Sequence, residues 1–143
     1  MPVLDQLTRR VTDRLPSVIS PRGHAVADYA MAGGFLAYGV LTWNRNRRAA
    51  FGSIGCGLFQ LALSAVTDYP GGVVKELSFP SHGRIDIGLV AMVGAMPGYL
   101  GIEKAREARF FRMQAAALAG ITGLTDFTGS GRARQLSHLE EAA

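Results

Sequence analysis

His24-Ala25-Val26-Ala27-Asp28 and His82-Gly83-Arg84-Ile85-Asp86 each set a histidine four residues ahead of an aspartate, at the mouth of an apolar stretch. Residues four apart share a helix face, so imidazole and carboxylate can address one centre. Neutral imidazole with carboxylate is a donor set for divalent metals, and the same groups can carry protons. The two motifs stand 58 residues apart, and the same offset relates Thr67-Asp68-Tyr69 to Thr125-Asp126-Phe127. Ser20/Ser78, Ala37/Ala95, Arg48/Arg106, Ala50/Ala108 and Gly71/Gly129 agree at this offset without a gap. The pattern reads as an internal duplication.

The candidate ligands are therefore His24, Asp28, Asp68, His82, Asp86 and Asp126. Two histidines and four aspartates suit one octahedral ion, or two ions each held by a His/Asp/Asp set; mixed nitrogen and oxygen donors favour zinc, manganese or iron over copper(I). Thr67 and Thr125 are placed to orient the ligands from behind. Arg84, whose counterpart is Val26, would pair with an aspartate or reach the membrane surface. In first turns, the positive helix end favours ionised Asp28 and Asp86 and neutral His24 and His82; Asp68 and Asp126, in last turns, would need a cation or hydrogen bonds. Two other readings stand beside the metal or proton site. His24 and His82 could be paired axial ligands of a haem. Alternatively, the motif is a structural staple, with the aspartates bonded to their own turns and orienting the histidines, in an accessory subunit of a larger complex.

The elements that would position these residues are apolar helices. Residues 25–43 carry Asp28 as their only charge, and residues 49–69 are uncharged until Asp68. Residues 85–102 carry Asp86 and are interrupted at Pro97-Gly98, which predicts a kink or an early end. Residues 113–127 are the shortest stretch, with residues 103–112 read as a helical extension into solvent. At ~1.5 Å per residue the longer stretches match the ~30 Å of bilayer hydrocarbon. Pro21 and Gly23 are read as a break before a helix opened by His24, and Ser81 or His82 as the cap of the third helix. Small residues four apart (Ala30/Gly34, Ser53/Gly57, Gly94/Gly98, Ala119/Gly123) predict close helix packing.

The chain has 143 residues, 48% of them hydrophobic and 18% charged, with a net charge of +4. Its single cysteine, Cys56, excludes an intramolecular disulfide and a cysteine-based zinc site. No aromatic-plus-basic pattern supports a nucleic-acid partner, and no nucleophile triad or phosphate loop is present. Residues 1–20 lack the apolar core of a secretory signal and read as an amphipathic helix, lying on the bilayer surface or, alternatively, packed on its own bundle. Residues 131–143 read as a flexible tail.

The expected fold is an all-α integral membrane four-helix bundle, built by duplicating a two-span unit (residues 21–72 and 73–130) behind that amphipathic helix. A soluble four-helix bundle is the competing architecture. Two spans per unit give both units one orientation, which gathers the His/Asp residues at one membrane face. Arg45, Arg47, Arg48, Lys104, Arg106, Arg109 and Arg112 lie in the connections at the other end. The positive-inside rule then puts those connections in the cytoplasm and the His/Asp face outward across the plasma membrane, while Arg9, Arg10, Arg14, Arg22, Arg132 and Arg134 in the tails pull the other way. Lipid is the expected partner, and small-residue surfaces suit a homo-oligomer or membership of a larger membrane complex.

At Ala95-Met96-Pro97-Gly98-Tyr99-Leu100-Gly101, following the His82/Asp86 start, the chain resembles the SPW-repeat-type small bacterial membrane proteins. These have two similar two-helix units with a Ser-Pro-Trp signature near the end of a span, and no established activity. Here Met96-Pro97-Gly98 stands in place of Ser-Pro-Trp, with Tyr38-Gly39-Val40 at the matching place in the first unit. The resemblance covers residues 20–129 and implies architecture alone.

Overall fold

Four helices account for most of residues 17–128, the part of the chain that the computed structural model describes. The surface helix expected in residues 1–20 and the tail at 131–143 lie essentially outside the described residues. Helix α1 spans Pro21–Thr42, α2 Arg47–Val66, α3 Phe79–Tyr99 and α4 Glu107–Gly123. The only described strands are β1 (Thr67–Asp68) and β2 (Leu77–Ser78).

Pro21 does not break the first helix; it begins it. Ser20 caps α1 by accepting the Gly23 N–H at 3.2 Å, and proline suits the first helical position because its missing N–H has no helical partner there. His24 is thus already inside the helix, its N–H bonded to the Ser20 carbonyl. Helix α3 likewise starts earlier than expected, with Ser78 as N-cap and Pro80 in the first turn, so His82 lies within it. Both aspartates sit two turns in, beyond the strongest reach of the helix dipole. Pro97, near the C-terminal end of α3, lacks the N–H that would continue the ladder; the helix stops at Tyr99, and Gly101 turns the chain with a φ of +63°.

Helix α1 packs chiefly on α2, and α3 on α4. The α1–α2 contact is close because small residues line it. Ser53 Oγ donates to the Phe35 carbonyl at 2.6 Å, and a Cβ on Gly39 would stand 2.5 Å from Ile54 Cγ1. The two pairs join through a core of Phe35, Cys56, Leu89, Val93, Phe111 and Leu118. Residues 107–112 are not an extension into solvent, since Glu107, Ala108 and Phe111 are buried. The basic connections do meet at one end: Glu107 there accepts from Arg45 Nε at 3.2 Å, Arg106 Nε at 3.4 Å and Asn46 Nδ2 at 3.5 Å.

Two helices, α1 and α2, are long and apolar enough to cross a membrane, and less than half of each apolar stretch is buried. Their polar residues His24, Asp28, Thr42, Ser53, Gln60 and Ser64 point inward, while Val40, Leu41, Phe51, Leu58, Phe59 and Leu61 are exposed. At the opposite end from the basic connections, short parallel pairings tie the elements together. Thr67 pairs with Leu77, and Ile19 pairs with Thr125. Each partner of the first pairing is 58 residues from a partner of the second.

Candidate metal centre

Helices α1 and α3 each contribute an inward His and Asp, eight positions of backbone apart from cap to carboxylate, so the two pairs meet at one depth. His24, Asp28, His82 and Asp86 are all at most 1% exposed, and one ligand atom from each lies within 4.8 Å of every other. His24 Nε2 stands 3.3 Å from His82 Nε2 and 3.0 Å from Asp86 Oδ2, and His82 Nε2 is 3.2 Å from the same oxygen. Asp28 closes the group, with Oδ2 at 3.1 Å from His82 Nε2 and Oδ1 at 3.5 Å from His24 Nε2. This quartet could hold a metal ion.

Two threonines decide which nitrogen of each ring faces the centre. Thr67 Oγ1 donates its one proton to the Leu63 carbonyl at 2.6 Å, and Thr125 Oγ1 donates to Ile121 at the same distance. Each hydroxyl oxygen can then only accept from the ring beside it: from His82 Nδ1 at 2.7 Å and from His24 Nδ1 at 2.8 Å. Both Nδ1 atoms therefore carry hydrogen, and in the neutral ring Nε2 presents its lone pair to the centre. Three lone-pair atoms, His24 Nε2, His82 Nε2 and Asp86 Oδ2, then face one another at 3.0–3.3 Å. Such a group is stable only around a shared cation, whether a metal ion or protons on the imidazoles.

The threonines cross over along the chain: Thr67, just after α2, orients His82 on α3, and Thr125, just after α4, orients His24 on α1. Behind Asp28 stand two further donors, Gln60 Nε2 at 3.0 Å from Oδ1 and the Tyr69 hydroxyl at 2.9 Å from Oδ2. Burial, joined by the nearby Asp28 carboxylate, pushes the Tyr69 phenol well above its usual value, so it remains a donor. Tyr69, Phe79 and Phe127 cover the centre, and both phenylalanine rings meet His24 edge-on at 5.5 and 5.1 Å between centroids.

The remaining candidates lie elsewhere. Helix α2 ends at Val66, and the extended backbone that follows turns successive side chains to opposite sides: Thr67 inward, Asp68 outward. Asp68 is 59% exposed and pairs with Lys75 at 3.5 Å. Asp126 is half-buried beyond the end of α4 and accepts from the Thr128 N–H and hydroxyl. Neither is in the quartet, and neither occupies a helical last turn. Arg84 is exposed. A haem between His24 and His82 does not fit, because 3.3 Å between the two Nε2 atoms leaves no layer for a porphyrin and carboxylates fill the flanks. Within the aromatic cover, Phe79 carried no signal in the sequence, whereas Tyr69 and Phe127 are the third residues of the repeated tripeptide; Gln60 is a lone amide in mid-span. No family model, curated protein or solved structure matches the chain, so its chemistry rests on this geometry.

Proposed function

We propose that the chain is a four-span membrane protein made of two like two-helix units, and that its quartet binds one divalent metal ion, with zinc the first choice over manganese or iron. The observation that carries this reading is the convergence of two Nε2 lone pairs and two carboxylates on one buried point, with both tautomers fixed by threonine. A divalent ion brings the net charge of that point to zero, which a low-dielectric surrounding demands. Bonds of ~2.0–2.2 Å to zinc make tetrahedron edges of about 3.3–3.6 Å. The His–His and His–Asp separations of 3.0–3.5 Å, counted to either Asp28 oxygen, are close to those lengths, and one ligand atom from each residue lies within 4.8 Å of every other.

The membrane reading is supported by helices that carry polar groups inside and large apolar groups outside, the reverse of a helix facing water. The paired Thr67–Leu77 and Ile19–Thr125 contacts support the duplication. This is also the architecture that the resemblance to the SPW-repeat-type proteins implies. The basic connections favour the cytoplasmic side, which puts the quartet near the outer face.

Elemental analysis of protein purified in detergent, beside a His24→Ala/His82→Ala variant, tests the proposal. About one zinc per chain, lost in the variant, is the expected result. Wild-type protein that stays metal-free after incubation with zinc would overturn it in favour of a proton-filled staple. That second reading draws on the His–Asp separations of 3.0 and 3.1 Å, which are also hydrogen-bond lengths.

A further inference from the structure

The two carboxylates of the quartet are held differently. Asp28 is fixed through both oxygens, by Gln60 and by Tyr69. The residues 58 positions later are Leu118 and Phe127, which have no side-chain donor. Asp86 Oδ1 is buried and has no hydrogen-bond partner among the described residues. The cover is uneven in the same sense. Tyr69 is 3% exposed and tied down by its hydroxyl, whereas Phe127 is half-buried, follows the end of α4 and is held by ring contacts. Gly83 lies directly beneath it, where a Cβ would come within 2.8 Å of the ring.

An ion in a quartet that is at most 1% exposed cannot leave unless something moves. To turn away from the ion, Asp28 must break two charge-assisted hydrogen bonds, from Gln60 and Tyr69, whereas Asp86 leaves only its contacts with the two imidazoles. We infer that the centre takes up and releases its divalent ion on the Asp86–Phe127 side, with Asp86 the ligand that turns and Phe127 the ring that swings aside, so the chain holds an exchangeable ion. This inference rests on the metal reading above. His24, His82 and Asp28 form the fixed part of the site. The unpartnered Oδ1 gives Asp86 a second oxygen to offer the departing or arriving ion.

The test is release of zinc from the full-length, zinc-loaded protein in detergent to an excess of chromophoric chelator, read as a half-time. Phe127 and Asp86 stand 58 positions after Tyr69 and Asp28, so Phe127→Tyr is designed to give Asp86 the hydroxyl donor that Asp28 has, and should slow release about tenfold, the scale of an added outer-shell partner. Phe127→Ala opens the cover and should speed release by a similar factor. Should the tyrosine variant fail to fold, the alanine variant decides alone. Tyr69→Ala, on the anchored side, should speed release less than Phe127→Ala. Release that is equal in wild type, Phe127→Tyr and Phe127→Ala, or faster for Tyr69→Ala than for Phe127→Ala, overturns the inference while leaving the metal site in place. Wild-type protein that takes up no zinc removes both.

Discussion

Replacing Thr67 and Thr125 by valine keeps the volume of each side chain and removes the acceptor behind each imidazole. Those acceptors lie 2.7 Å from His82 Nδ1 and 2.8 Å from His24 Nδ1, in surroundings without water-exposed alternatives. Two costs follow. A buried N–H left without a partner destabilises the fold by about 1–3 kcal/mol per site. Each ring is also freed to move its hydrogen to Nε2, where it blocks the ion. Loss of an outer-shell partner costs roughly 10–100-fold in metal affinity, or about 1.4–2.7 kcal/mol. Both histidines serve one ion, so the double variant should bind zinc about 10²–10⁴-fold more weakly than wild type, with some departure from additivity. Competition with a chelator of known affinity measures this. Thr67→Ser with Thr125→Ser retains both acceptors and should bind within about tenfold of wild type, which separates orientation from packing. A valine pair that binds zinc as tightly as wild type would refute the tautomer argument.

Asp68→Asn should leave zinc stoichiometry intact and change stability by no more than ~1 kcal/mol, because an exposed pair with Lys75 contributes little; Asp86→Asn should lose the ion, as elemental analysis would show. Gly39→Ala should lower the thermal midpoint, at a cost of about 1–3 kcal/mol for forcing Ile54 and the Ala50 carbonyl apart, whereas Gly33→Ala, which meets nothing within 4 Å, should not. Burial works against the charge on Glu107, but hydrogen bonds from its own backbone N–H, Arg45, Asn46 and Arg106 outweigh it and hold its carboxyl below the usual glutamate range. Folding is thus helped by this carboxylate above about pH 4.3, its unfolded value, and the help is lost as pH falls through the lower folded value. Thermal unfolding in detergent should show that acid loss in wild type, and Glu107→Gln should flatten it.

The 58-residue offset made His24, Asp28, His82 and Asp86 legible, because it marks the same helical face twice and symmetry then brings the two faces together. It marked Asp68 and Asp126 just as clearly. What separates them is a backbone change two residues long, from helix to extended chain after Val66, and apolar periodicity has no power to place a boundary that finely. The starts of α1 and α3 were shifted for a related reason: at α1 Pro21 reads as a breaker until Ser20-Pro21 is seen as a cap followed by a first turn, and at α3 Ser81 or His82, after Pro80, reads as the cap, whereas Pro80 lies inside the first turn behind Ser78. Which threonine serves which histidine is a tertiary fact. Sequence could place Thr67 near an aspartate and a tyrosine, yet its partner is His82 across the linker.

On the duplication proposed above, the exchanged threonines and the mismatched positions Gln60/Leu118 and Tyr69/Phe127 bear on why two units share one chain. In a dimer of identical two-helix subunits, every substitution appears on both sides of the axis, so a tethered carboxylate and a free one could not coexist there. A single polypeptide lifts that restriction: one side can be kept rigid while the other drifts, and a symmetric vessel acquires a front and a back.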